Sequence, residues 1–183
     1  MRPWPRSWAS SRCSWPVPTA RCGADMPMSP FLARLREKIG SELLMLPSAS
    51  GFVFDDAGRL LVARHGDVGL WAAPGGGIDP DERPQDAVAR ELHEELGIEI
   101  AVRGLIGVYG GPEFRARYPN GHQCAYVIAV YGCTIVSGVP EPDGAEITGY
   151  RWVTEDELPE LPTTTWMPLV APEAFTWWRE HAR

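Results

Sequence analysis

Nothing in the 183-residue sequence approaches the run of about 18 consecutive apolar residues that crosses a bilayer as a helix, so a membrane partner is not expected. Basic residues are scarce: 17 Lys and Arg stand against 24 Asp and Glu, a formal net charge of -7. Chains that grip a nucleic acid polymer neutralise its phosphates with a basic excess, so that class is set aside and the expected partner is a small molecule. Cysteine is sparse as well. Cys13, Cys22, Cys124 and Cys133 form no C-x-x-C pair and have no histidine at zinc-finger spacing, which leaves reduced thiols in the cytoplasm as the expectation. Cys124 and Cys133 sit in an apolar stretch, where a free cysteine behaves as a small buried hydrophobe.

Acidic residues are missing altogether from residues 1 to 23, which carry Arg2, Arg6, Arg12 and Arg21. Prolines and serines break up Trp4, Trp8 and Trp15, so this leader has neither the continuous apolar run of a secretory signal nor the amphipathic period of a transit peptide. Residues 1–28 are expected to be a disordered or wrongly assigned extension, with Met26 or Met28 beginning the folded protein. The remaining residues, 29–183, are long and apolar enough for one domain with a sizeable core.

What is present is an ordered series of element signals. Ser29, Pro30 and Gly40 frame a short helix whose expected role is packing. Two apolar runs around Asp55, Asp56, Ala57 and Gly58 predict a hairpin. A loop rich in Gly, Pro and Asp follows, and then Pro84 opens a helix running to Leu96, with Gly97 as its stop. The stretches 102–110 and 123–136 are β-rich. Thr154 and Glu157 form a capping box that predicts a short helix, and residues 171–183 predict a final one. The order helix, strands, helix, strands, helix implies an α/β fold in which a mixed sheet lies between helices.

The helix over 84–96 carries the chemistry. At 100° per residue and with Glu91 as zero, Glu94 falls at about 300° and Glu95 at about 40°, so three carboxylates share one face. Val88, Leu92 and Leu96 form the bordering apolar stripe, which places the acids at the rim of a cleft once that stripe is buried. Like charges at this spacing repel, and something positive is needed to offset the repulsion. Carboxylates with no Cys or His on their face suit a hard cation such as Mg²⁺, which takes oxygen ligands and shares its waters with substrate phosphates.

Read as G-x5-E-x7-R-E-U-x-E-E-x-G-U, with U aliphatic, the stretch matches at Gly76, Glu82, Arg90, Glu91, Leu92, Glu94, Glu95, Gly97 and Ile98. This resembles the Nudix box, with every defining position filled, and the resemblance extends over roughly residues 47 to 162. It implies a Nudix-type α/β/α sandwich and a MutT-like hydrolase that cleaves a nucleoside diphosphate linked to another moiety, using Mg²⁺ or Mn²⁺. It also implies that Glu91, Glu94 and Glu95 bind the metal, that Arg90 orients these acids and pairs with Glu82, and that Gly97 ends the helix. The base that activates water is left open between Glu94 and Glu146.

Gly75, Gly76 and Gly77 would let backbone approach metal and phosphates closely. Arg64 could reach a phosphate, and Tyr109, Phe114 and Tyr118 could stack on a base. The substrate class stays open between nucleoside triphosphates and ADP-ribose or sugar-nucleotide types. Relatives that pair make a homodimer a further expectation. Two other readings stand beside the hydrolase: a ligand sensor or interaction module on the same fold, which need not keep all three glutamates, and a prenyl diphosphate isomerase, which would need a catalytic Cys and further His ligands that the sequence around the box lacks.

Overall fold

The structure, a computed structural model, describes residues 28–118 and 120–181. Cys13, Cys22 and the expectation of a dispensable leader lie outside the described residues, apart from Met28. Ser29 caps the first helix, α1 (Pro30–Ile39), by accepting the Leu32 N–H on its Oγ at 3.3 Å. The helix docks through an unexpected residue. Arg36 is buried at 5% exposure and donates to the Gly40, Glu42 and Gln123 carbonyls and to Cys124 Sγ, which ties α1 to the sheet.

Strands β1 (Leu43–Val53), β2 (Leu60–His65), β3 (Trp71–Ala72) and β4 (Gly75–Gly77) precede α2 (Pro84–Leu96). Strands β5 (Glu99–Arg117), β6 (Gln123–Ser137) and β7 (Ile147–Val153), a 3₁₀ turn (Leu158–Glu160) and α3 (Met167–His181) complete the order. The four-stranded sheet runs β4-β1-β6-β5 and is mixed: β1 and β6 are parallel, and the other pairs are antiparallel. A second, three-stranded sheet runs β3-β2-β7, all antiparallel.

Three local expectations are modified by packing. The turn at Asp55–Gly58 forms, but it is closed by an isolated bridge just past β1, Phe54 with Leu60, and β1 and β2 belong to different sheets. Both strands are buried on both faces over Ser48–Val53 and Leu60–Ala63, so each is best covered in the middle of its own sheet. The Thr154–Glu157 capping box forms with both reciprocal bonds, yet it opens only the 3₁₀ turn, because Pro159 and Pro162 lack the N–H that would propagate a helix. The final helix starts at Met167 and carries Pro172 within it; burial of Met167, Val170, Ala171, Ala174 and Phe175 outweighs that interruption.

Two cores result, one on each face of the mixed sheet. Phe52, Val130, Leu60, Val62, Met167 and Phe175 fill the space between the sheets and α3. On the other face α2 sets Val88, Leu92 and Leu96 against Ala49, Val53, Leu61 and Cys133. The helix comes this close because position 51 is glycine: a Cβ there would stand 2.8 Å from Val88 Cγ1 and 3.1 Å from Leu92 Cδ1. Leu92 is fully buried, so Leu92→Ala is expected to cost about 2–5 kcal/mol through lost burial and an unfilled cavity. The midpoint of urea unfolding reads it, and a loss under about 1 kcal/mol would mean that α2 is not anchored here. No helix among the described residues is long and apolar enough to cross a membrane.

Candidate active site

Glycine and proline set the ends of α2. Pro84 occupies the first turn, where a missing N–H costs nothing, and Gly97 adopts the left-handed conformation at φ 65°, donating its N–H to His93 O at 2.9 Å. The three glutamates of the shared face meet graded surroundings. Glu95, nearest the apolar stripe, is buried at 4% exposure, whereas the side chains of Glu91 and Glu94 keep 14% and 58%.

Strand β4 lies over this face. The Gly75 N–H donates to Glu95 Oε2 at 3.3 Å, and Gly76 sits so close to the Glu91 carboxylate that a Cβ would overlap it. Gly77 O accepts from Arg90 Nη2 at 3.0 Å. β1 holds the glycine segment in turn, through Ser48 Oγ donating to Gly76 O at 2.6 Å and Ser50 Oγ donating to Pro74 O at 3.0 Å. Sequence reasoning missed both serines; their signal is the alternation of Ser48 and Ser50 in an otherwise apolar run.

Arg90 organises the acids on the helix. Its Nε and Nη2 donate to the two Glu82 oxygens at 2.9 and 3.1 Å, and Nη1 donates to Glu91 Oε1 at 2.9 Å and Glu94 Oε2 at 3.1 Å. The bond from Arg90 holds the Glu82 carboxyl below its usual range. Glu91 is raised instead, since its burial outweighs the same guanidinium. Among the described residues the Glu95 side chain is bonded by the Gly75 amide alone. Burial first, then the charges of Glu91 and Glu146, push its carboxyl up to about 9.

Glu146 stands just before β7, and its backbone O accepts the Gly66 N–H at 2.8 Å. Burial and then the Glu91 charge raise its carboxyl. Four acids from α2 and the β7 approach thus share one electrostatic neighbourhood. Among the described residues, no three His, Cys, Asp or Glu side chains form a ready-made cation cage. Glu91 and Glu94 both turn to Arg90 Nη1 while Glu95 turns to Gly75, so two of the acids point at a charge within the protein.

The remaining expected contacts fare differently. Phe114 is a core residue, 5% exposed and stacked with Tyr109 and Trp166 at centroid distances of 6.4 and 6.2 Å. Tyr109 gives its hydroxyl to Glu173 on α3 at 2.5 Å. Both make packing contacts on the side of the sheet that faces α3, where β5 continues through Arg117 across a bulge between Gly110 and Arg115. Tyr118 shares a 2.6 Å hydrogen bond with the Tyr126 hydroxyl. Arg64 is exposed, and its Nε donates to Gly69 O at 3.4 Å, with no ion pair to the acids among the described residues.

Residues 45–173 match the family model of the NUDIX domain. The chain belongs to the NUDIX family. A MutT-like protein of Streptomyces ambofaciens is 38% identical over 113 residues, 62% of this chain and 66% of that protein. A protein of Bacillus subtilis (strain 168) named as a candidate 8-oxo-dGTP diphosphatase is 33% identical over 107 residues, 58% of this chain and 65% of that one. The chain thus matches just under two thirds of the length of these relatives. A MutT NUDIX hydrolase structure from Burkholderia pseudomallei superposes with a TM-score of 0.60 at 27% identity, covering 71% of this chain and 98% of that one. The mixed sheet flanked by helices is the NUDIX architecture, and the carboxylate helix lies within the matched span.

Proposed function

We propose that this NUDIX chain hydrolyses the diphosphate linkage of a nucleoside diphosphate derivative with the help of a divalent cation, Mg²⁺ or Mn²⁺. The observation that carries the reading is Glu95. It is a buried carboxylate beside two other acids, and no cationic side chain pairs with it among the described residues. Burying charge without a partner is costly, and a bound cation offsets that cost. The donor set is all oxygen, which fits these hard ions. Glu91, Glu94 and Glu95 would hold the cation, which when bound neutralises phosphate oxygens and lowers the pKa of a coordinated water.

The chain's own groups supply the rest. The Gly75–Gly77 backbone lies over the acids with no side chain in the way, so a phosphate can approach them. Glu146 stands off the helix with its carboxyl raised above the ordinary range, which suits the base that takes a proton from water, and Glu94 is tied to Arg90. Arg90 and Glu82 hold the helix acids in register. The MutT-like relatives support a nucleoside triphosphate as substrate, including oxidised forms, ahead of ADP-ribose or sugar nucleotides. Free, buried Cys124 and Cys133 fit a reducing, cytoplasmic setting.

One observation favours a second reading, a ligand-binding module: Arg90 already compensates Glu91 and Glu94. The experiment that separates the two incubates the purified chain with Mg²⁺ and a panel of nucleoside triphosphates, 8-oxo-dGTP, ADP-ribose, dinucleoside polyphosphates and sugar nucleotides. Cleavage of one class, abolished by EDTA and restored by excess Mg²⁺, is expected. Binding of a panel member without any product would establish the module instead.

A further inference from the structure

The segment that delivers Glu146 to the site is held by a residue that the box does not contain. Asp143 bonds in two directions. Its backbone N–H donates to the carbonyl of Glu95 at 3.1 Å, at the last turn of α2. Its carboxylate accepts three backbone N–H groups: Ala145 and Ile147 on Oδ1 at 3.1 and 2.8 Å, and Glu146 on Oδ2 at 3.1 Å. One residue therefore spans from the backbone of Glu95, through its amide, to the backbone of Glu146, through its carboxylate.

Neighbouring contacts fix the same segment from other sides. The Glu141 N–H donates to Leu96 O at 2.9 Å, and the Gly144 N–H donates to Ile147 O at 3.0 Å with Gly144 at φ 77°. From β2, the Gly66 N–H donates to Glu146 O, and Thr148 Oγ1 donates to Arg64 O at 3.2 Å. Ile147 is fully buried in the core beneath α2, so the residue after Glu146 is anchored as well. None of these other contacts reaches the Glu146 N–H.

We propose that Asp143 is a positioning residue that sets the separation of Glu95 and Glu146, with its amide on one and its carboxylate on the other. The inference rests on the reading of Glu146 as the proton acceptor. The two oxygens divide the work: Oδ1 closes the turn onto Ala145 and Ile147, and Oδ2 alone holds the Glu146 amide. Asparagine keeps the first function and loses the second, because its amide nitrogen replaces Oδ2 and cannot accept. Asp143→Asn is therefore the discriminating change: the turn survives and the hold on Glu146 does not.

The test measures kcat and KM on the cleaved nucleotide for the full chain, Asp143→Asn, Glu146→Gln and the double variant, together with amide hydrogen exchange. Asp143→Asn is expected to lower kcat about 10- to 100-fold with KM little changed, as a misplaced group does. Glu146→Gln is expected to lower kcat about 100-fold or more, and adding Asp143→Asn to it should change little further. Wild-type kcat in Asp143→Asn, or a double variant that multiplies the two losses, would overturn the proposal. A silent Glu146→Gln beside an impaired Asp143→Asn would overturn it too and would remove Glu146 from the mechanism. Exchange at the Glu146 amide reads the hold without turnover. Protection lost there, with Leu92 still protected, supports the proposal even if no panel nucleotide is cleaved; unchanged protection overturns it whatever the enzyme hydrolyses.

Discussion

Glu95→Gln is expected to lower kcat by about 10³-fold or more, since loss of a cation ligand forfeits several kcal/mol of transition-state charge stabilisation. The fold should stay intact. Glutamine matches the protonated carboxyl in shape, still accepts the Gly75 N–H, and removes a group whose ionisation burial, Glu91 and Glu146 all oppose. Thermal melting without added metal should therefore give a Tm at or above that of the wild type. Adding Mg²⁺ should raise Tm in the wild type by mass action and do so far less in the variant. Turnover close to wild type at saturating Mg²⁺ would take Glu95 out of the metal site. An equal Mg²⁺ shift in both proteins would place the cation elsewhere.

Gly75→Ala should produce the largest loss of stability among glycine substitutions at the site. Gly75 sits at φ 145°, a region that residues with a Cβ rarely adopt, and a Cβ there would run into Ala49 O and stand 2.7 Å from Ser50 Cα. Both obstacles are backbone within a paired strand, so neither can swing aside. Strain of this kind costs about 1–3 kcal/mol before the clash is added, which puts the whole change at roughly 3 kcal/mol or more. Turnover should fall as well, because the β4 displacement carries the Gly75 N–H away from Glu95. Gly77→Ala is the stability control: nothing lies within 4 Å of its Cβ position, so its unfolding midpoint should barely move. Equal midpoints for the two variants would mean that β4 does not pack against β1 as described.

The helix of the site was legible because its evidence is local. Pro84 and Gly97 mark its ends, and the period of 3.6 residues puts Glu91, Glu94 and Glu95 on one face whatever surrounds them. The pairing of Arg90 with Glu82 was legible only through the box pattern, since eight positions and a loop separate the two. The packing of the aromatic residues after the helix was not legible, for the opposite reason. Tyr109 closes a β-rich stretch and Phe114 follows two glycines and a proline, and what they pack against depends on the bulge between Gly110 and Arg115, which lets β5 continue alongside the core that α3 covers. The Asp55–Gly58 turn was legible from its residues, yet the partners of the strands it joins were not, because both strands are apolar on both faces and such runs carry no register.

By itself the sequence determined the NUDIX family, the helix that bears the acids and the identity of those acids, all set by spacing along one short segment. Tertiary structure alone decided their inequality. Glu95 is buried and Glu94 exposed because β4 and the 138–146 segment close over one side of α2 and leave the other to solvent. The same closure brings Asp143 and Glu146 to α2 from some 50 positions further along the chain. Helical period is a property of neighbours in sequence, whereas burial and the meeting of distant carboxylates depend on which surfaces the sheet order brings together.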